Sequence, residues 1–199
     1  VIVIGLTGSI GMGKTTTARM FADFGIPAFN ADAAVHVLYD SNVPGGGQAV
    51  PLIRAVFPDA VRDGAVVRDV LAKHMREDPL NLPVLESFIH PMVAEARAGF
   101  LKANAGKPAV LFDVPLLFET GGDKNCDITI TVTCSPETQR QRVLARPGMS
   151  AEKFDSLLAR QMPDAEKRAR ADHIISTEIN LEDTREQVKT LLDSLGLHP

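Results

Sequence analysis

The sequence predicts an α/β fold: a mostly parallel five-stranded sheet flanked by helices, with a helical insertion and a second helical segment that interrupts the alternation. Three observations carry that prediction. Short apolar runs rich in β-branched residues recur along the chain and alternate with stretches of helical spacing, the order that builds a parallel sheet covered by helices. The 199 residues are enough for one substantial core with a smaller appended lobe. Residues 32–106 hold helical pattern but no convincing strand, too long a stretch for one crossover helix.

Taken in order, residues 1–6 (VIVIGL) read as a buried strand, short, β-branched and apolar on both faces. Residues 14–24 have helical apolar spacing through Ala18, Phe21 and Ala22, and Gly25 with Pro27 ends that helix. Residues 27–30 are a short second strand. The insertion 32–106 follows, broken by Pro44-Gly45-Gly46-Gly47 and several further prolines. Residues 109–114 (AVLFDV) and 128–133 (ITITVT) are the third and fourth strands. Ser135-Pro136 reads as an N-cap followed by proline at the first helical position. Residues 139–170 carry Arg140, Arg142, Arg146, Arg160, Lys167, Arg168 and Arg170, a charge run for which a solvated helix face is the plain explanation. Arg146-Pro147-Gly148 marks a turn between two helices, as a mobile lid needs. Residues 173–176 (HIIS) form the fifth strand, and a last helix covers 181–195 with Gly196 at its C-terminal end. The expected division is a core of 1–31, 107–138 and 171–199, a substrate-binding insertion of 32–106 and a lid of 139–170.

Composition narrows the function classes. Hydrophobic residues make up 45% and charged residues 23%, ordinary values for a globular domain. The net charge of −4 gives no field that would draw the whole chain to nucleic acid or anionic membrane. One Tyr and no Trp offer little surface on which bases could stack. No run approaches the roughly twenty apolar residues of a membrane span, and the Val1 start lacks the pattern of a secretory leader. Cys126 and Cys134 have neither metal-finger nor Cys-x-x-Cys spacing, which suits reduced structural thiols in the cytoplasm.

One motif carries chemistry. Gly8-Ser-Ile-Gly-Met-Gly13-Lys14-Thr15 follows the first strand and opens the first helix, the context a phosphate-binding loop requires. Gly8, Gly11 and Gly13 let backbone N–H groups turn inward around phosphate oxygens, with Met12 contributing its N–H. Lys14 reaches the β- and γ-phosphates, Thr15 ligates Mg²⁺, and Thr16 continues the first turn beside them. The ligand is a nucleoside triphosphate. Asp32, just past the second strand, either accepts a proton from an attacking hydroxyl or caps the next helix. Asp113, ending the third strand, is either a Walker-B-like group behind Mg²⁺ or a turn residue before Pro115. His90 precedes Pro91 within a helical stretch.

With these residues placed, the chain resembles the dephospho-CoA kinases. Gly5-Leu-Thr-Gly-Ser-Ile-Gly-Met-Gly-Lys-Thr-Thr16 is similar to that family's phosphate loop. Asn30-Ala31-Asp32 stands where the family usually has Asp-Ala-Asp, and Ile89-His90-Pro91 matches its His-Pro segment. Pro115-Leu-Leu-Phe-Glu119 matches its Pro-Leu-Leu-Phe-Glu signature. Ser135–Gln139 with Arg142 and Arg146, then Arg160-Gln161-Met162 and Ala171-Asp172-His173, look like its lid and last strand. The resemblance implies a P-loop core, ATP with Mg²⁺, and transfer to the ribose 3′-hydroxyl of dephospho-CoA, giving coenzyme A and ADP. It assigns Asp32 as the residue that orients and deprotonates that hydroxyl, Lys14, Arg142 and Arg146 as charges on the triphosphate, and His90, Leu116, Leu117 and Glu119 as the substrate side. It further implies a small-molecule substrate without nucleic acid or membrane partners, and a monomer or weak homo-oligomer. Three departures stand out: Asn30 for the first family Asp, Met12 at a loop position that is usually small and polar, and Ile175-Ser176-Thr177 for a family Ile-Asp-Asn near the adenine. Another small-molecule or nucleotide kinase, or a nucleotide-dependent switch protein, is the competing reading, because the loop alone does not name the acceptor.

Overall fold

The structure is a computed structural model that describes residues 1–197. The chain folds as two compact units, residues 1–29 with 104–199 and residues 30–103.

The first unit is built on a five-stranded sheet of strands β1 (Ile2–Thr7), β2 (Ala28–Asn30), β5 (Ala109–Asp113), β6 (Ile128–Thr133) and β7 (His173–Ser176), in the order β2-β5-β1-β6-β7. The central strand β1 pairs in parallel with both neighbours, Gly5 standing opposite Phe112 on one side and Thr129 on the other. A strand flanked on both sides and covered on both faces has to be apolar throughout, which is why residues 2–6 read as a continuous run. Alternate residues then serve different layers. Ile4, Leu6, Leu111, Ile130 and Val132 pack against α1 (Lys14–Asp23) through Ala18, Met20 and Phe21, and against α9 (Leu181–Ser194) through Val188 and Leu192. Each such fully buried side chain contributes about 1.5–3 kcal/mol. On the opposite face Thr131 Oγ1 donates to Lys167 O of α8 (Asp164–Arg170), and Arg170 lies over the Phe118 ring. Helices α6 (Pro136–Leu144) and α7 (Ala151–Leu158) are joined through the expected Arg146-Pro147-Gly148 turn, with Gly148 at φ 72°. Ser135 caps α6 by accepting from Thr138 N–H, with Pro136 in its first turn, as its sequence predicts.

The second unit has its own core. Helices α2 (Ala31–Leu38), α3 (Val50–Val56), α4 (Arg68–Glu77) and α5 (Asn81–Ala103) enclose Leu38, Tyr39, Ile53, Phe57, Leu71, Leu85 and Ile89. Two features differ from the sequence expectation or extend it. The pattern of residues 32–106 predicts no strand, yet Val61–Arg62 (β3) and Ala65–Val66 (β4) pair as an antiparallel hairpin. The signal is present in Asp63-Gly64, whose φ values of 49° and 77° give the two left-handed residues a tight hairpin requires. Its strands are too short for alternation to show. Pro91 lies inside the 23-residue α5 without ending it. Packing through Leu85 and Ile89 within the same helix outweighs the missing N–H.

Candidate active site

The loop between β1 and α1 is shaped by close approach. Gly11 (φ 82°) and Gly13 (φ 91°) are left-handed, and a Cβ on Gly11 would stand 2.5 Å from Val143 Cγ2 and 3.1 Å from Gln139 O. Gly13 is the N-cap of α1 and brings no side chain to cap it, and the first turn holds no acidic residue. The first amides and the positive end of the helix dipole are therefore offered to an anion. Ser9 Oγ, buried within the same loop, has no hydrogen-bond partner among the described residues. Met12 turns its side chain inward, 2% exposed, where Sδ accepts from Cys134 N–H at 3.1 Å. The Met12 N–H, expected from the sequence to face the phosphates, instead donates to Ser9 O at 3.1 Å within the loop.

Two glutamines hold the loop by one peptide each side of Ile10. Its N–H donates to Gln161 Oε1 at 3.0 Å, and its carbonyl accepts from Gln139 Nε2 at 2.8 Å. These partners lie more than 120 residues away in sequence, and nothing in the local pattern marks them.

Lys14 Nζ is ion-paired with Asp113 Oδ1, their side chains 12% and 4% exposed. Of the two readings of Asp113, this favours the charged group at the site over a turn residue. Thr15 is exposed in the first turn of α1. Its hydroxyl and the Asp113 carboxylate are the hard oxygen donors that suit Mg²⁺. Among the described residues no group of three or more His, Cys, Asp or Glu is arranged to hold a metal; a Mg²⁺ held by one or two protein oxygens and substrate phosphates needs no such cage.

Next to the loop lies a cavity of about 320 Å³ lined by Gly11, Gly13, Thr16, Arg142, Arg146 and Thr177, among others. Arg142 donates to Thr177 Oγ1 at 2.8 Å and to Thr177 O at 2.6 Å. Arg140 instead meets Asp155 at 3.4 Å on the surface and lies over the Phe154 ring. Single alanine substitutions should therefore lower kcat/KM for ATP at Arg142 and Arg146 by about tenfold or more, against less than about twofold at Arg140, the scale of an exposed pair. Equal small effects at all three would return the run to a solvated surface.

The charge run is not uniformly solvated. Lys167 is 0% exposed, its Nζ 2.8 Å from Glu119 Oε1 and 3.1 Å from Pro115 O. Glu119 Oε1 also accepts from Met162 N–H at 2.8 Å. Burial raises the Glu119 pKa, but the hydrogen bonds from Lys167 and Met162 outweigh it and hold the carboxyl below its ordinary 4.5. A depressed carboxylate pKa contributes stability that is fully present above the ordinary value and is lost as pH falls through the folded one. Glu119→Gln should thus cost several kcal/mol at pH 7, near the lower end of the ~3–5 kcal/mol of a broken buried pair because Glu119 is partly exposed. Its melting temperature should also fall less steeply than that of the parent as the pH drops below about 4.5. Parallel melting curves against pH would show that the pair contributes nothing.

Of the residues assigned to the substrate side, Leu117 is 1% exposed and sits against Gly5, where a Cβ would come within 2.9 Å of its Cδ2. Leu117 offers no surface to a ligand, and the Glu119 carboxylate is engaged internally. Leu116 is 39% exposed. In the second unit His90 is exposed on α5. Asn30, rather than Asp32, caps α2 by accepting from Ala33 N–H at 2.8 Å. Asp32 lies in that helix's first turn with its side chain uninvolved in the cap. The structure thus brings Gly11, Gly13, Thr16, Arg142 and Arg146 to one cavity and Lys14 to Asp113.

A glycine loop on the central strand of a parallel sheet, opening a helix beside an arginine-lined cavity, defines a P-loop protein of the kinase type. The family model for dephospho-CoA kinase (CoaE) matches residues 2–183. Dephospho-CoA kinases of Agrobacterium fabrum and of Rhodopseudomonas palustris strain HaA2 are 50% and 47% identical to the chain, covering 98% and 100% of it and 98% of each relative. A crystal structure from Thermus thermophilus superimposes with a TM-score of 0.82 at 33% identity, over 98% of this chain and 97% of that one. The chain belongs to the dephospho-CoA kinase family, and with it to the ATP-dependent phosphotransferases.

Proposed function

We propose that this chain transfers the γ-phosphoryl group of ATP to the ribose 3′-hydroxyl of dephospho-CoA, releasing coenzyme A and ADP, the last step of coenzyme A synthesis. The observation that carries the reading is the left-handed Gly11–Gly13 loop with Lys14 paired to Asp113, on a chain matched to the family over residues 2–183. The loop amides bind the phosphates. Lys14, Arg142 and Arg146 neutralise the charge that spreads over the transferring group. Thr15 would hold a Mg²⁺ ion, which would supply further neutralisation of the phosphate oxygens. Asp32 orients the 3′-hydroxyl and takes its proton as the oxygen–phosphorus bond forms and the bond to the ADP oxygen breaks. Its carboxylate is left to that role because Asn30 does the capping. The helical unit 30–103, with His90, carries the CoA portion, and residues 139–170 act as the lid.

We place the reaction in the cytoplasm, which suits Cys126 and Cys134 thiols that are not joined in a disulfide. The test is ATP consumption with dephospho-CoA, adenosine, nucleoside monophosphates or no acceptor. Consumption that depends on dephospho-CoA and yields a 3′-phosphate is expected. Equal consumption without acceptor would replace the kinase by a slow nucleotide-hydrolysing switch.

A further inference from the structure

Thr177 lies where the resemblance puts the adenine side of the site, yet its surroundings are those of a buried, internally bonded residue. Every polar atom of this residue, which is 7% exposed, is spoken for. Its N–H donates to Thr133 O at 2.8 Å, and its carbonyl accepts from Arg142 Nη2. Its hydroxyl accepts from Arg142 Nη1 at 2.8 Å while donating to Met12 O at 2.9 Å, the peptide between the loop's Met12 and Gly13. The Thr177 methyl closes the third side: a Cβ on Gly13 would lie 3.0 Å from Cγ2. The following residue fixes the helix that carries Arg142. Glu178 accepts from Ser135 N–H at 2.6 Å, Ser135 Oγ at 2.9 Å and Thr138 Oγ1 at 2.7 Å, at the N-terminus of α6.

We infer that Thr177 is a positioning residue that joins the Arg142 guanidinium to the phosphate-loop peptide through one hydroxyl. The inference rests on the proposed ATP site but not on the acceptor. A planar guanidinium held by two fixed oxygens is pre-organised, so little freedom remains to be lost when it meets a polyphosphate. The same hydroxyl fixes the carbonyl of the peptide whose N–H belongs to Gly13, the N-cap of α1. Thr177 therefore acts through its neighbours.

The test is ATP affinity in magnesium buffer, measured by titration calorimetry without acceptor, for Thr177→Val, Thr177→Ser and the pair of each with Arg142→Ala. Thr177→Val keeps the shape and loses the hydroxyl, and should weaken ATP binding about tenfold, the scale of one hydrogen bond to a charged group. Thr177→Ser should stay within about twofold of the parent, since it keeps that bond. In the Arg142→Ala background Thr177→Val should add less than about twofold, because the group it acts through is gone. A purely structural role would instead lower the melting temperature while leaving affinity unchanged. Unchanged affinity in Thr177→Val, equal losses in Val and Ser, or full additivity with Arg142→Ala would each overturn the inference. If Thr177→Val does not fold, Thr177→Ala removes the hydroxyl without placing a methyl against the Met12 carbonyl and is read the same way. Because no acceptor is present, a failed assignment of dephospho-CoA would leave these outcomes readable, whereas an absence of any ATP binding by the parent would defeat the site itself.

Discussion

Replacing Lys14 by alanine should lower turnover at saturating ATP by at least about 10²–10³-fold, the scale of losing one positioned group that stabilises transition-state charge. The lysine opens α1 directly after Gly13 and is 12% exposed as a side chain, so few water molecules screen the charge it brings to the transferring phosphoryl group. Stability should fall as well, since Asp113, 4% exposed at the end of β5, would lose the ammonium beside it. The two effects separate in Lys14→Ala/Asp113→Asn, which should recover much of the melting temperature and none of the turnover. Near-normal turnover in Lys14→Ala, with the sheet intact by circular dichroism, would remove the lysine from the chemistry. Recovery of turnover in the double variant would make its role structural.

Asp32→Asn should reduce turnover by about 10²–10⁴-fold while leaving the KM for dephospho-CoA nearly unchanged. The substitution keeps the shape and removes only the basic oxygen. Its structural cost is small: Asp32 lies in the first turn of α2, where a carboxylate contributes about 0.3–1 kcal/mol through the helix dipole. Asn30 makes the internal control. Its side chain caps Ala33 N–H, a task Asp performs equally well, so Asn30→Asp should alter stability and turnover only modestly. Asn30→Ala should cost about 1 kcal/mol of stability with turnover retained below the melting range. An active Asp32→Asn beside a folded but inactive Asn30→Ala would move the chemistry to Asn30 and overturn the assignment of the base.

The departure at Asn30 shows what a sequence alone leaves open. Asp32 and Asn30 are both sound capping residues by type, and only the Asn30–Ala33 hydrogen bond decides which one is occupied. The charge run at 139–170 is a second case. By composition Arg140, Arg142 and Lys167 are alike, yet one is held at the surface by Asp155, one by Thr177 and one is buried against Glu119. Their fates depend on partners 15, 35 and 48 residues away.

What the sequence by itself determined is local. Apolar β-branched runs placed the strands of the sheet, Ser135-Pro136 started α6, and the glycines with Lys14 announced the anion site, because strand pattern, cap chemistry and glycine φ each act within a few residues. The tertiary structure decided which distant groups close around that site: Gln139 and Gln161 on the peptides either side of Ile10, Thr177 between Arg142 and Met12, and Lys167 against the Pro115 carbonyl. Those contacts follow from the order β2-β5-β1-β6-β7, which sets β6 beside β1 and β7 next to β6, so segments that follow both strands converge on the loop after β1. A hydrogen bond between residues so far apart along the chain leaves no period in the sequence, so its partners become visible only when the sheet has set their distance.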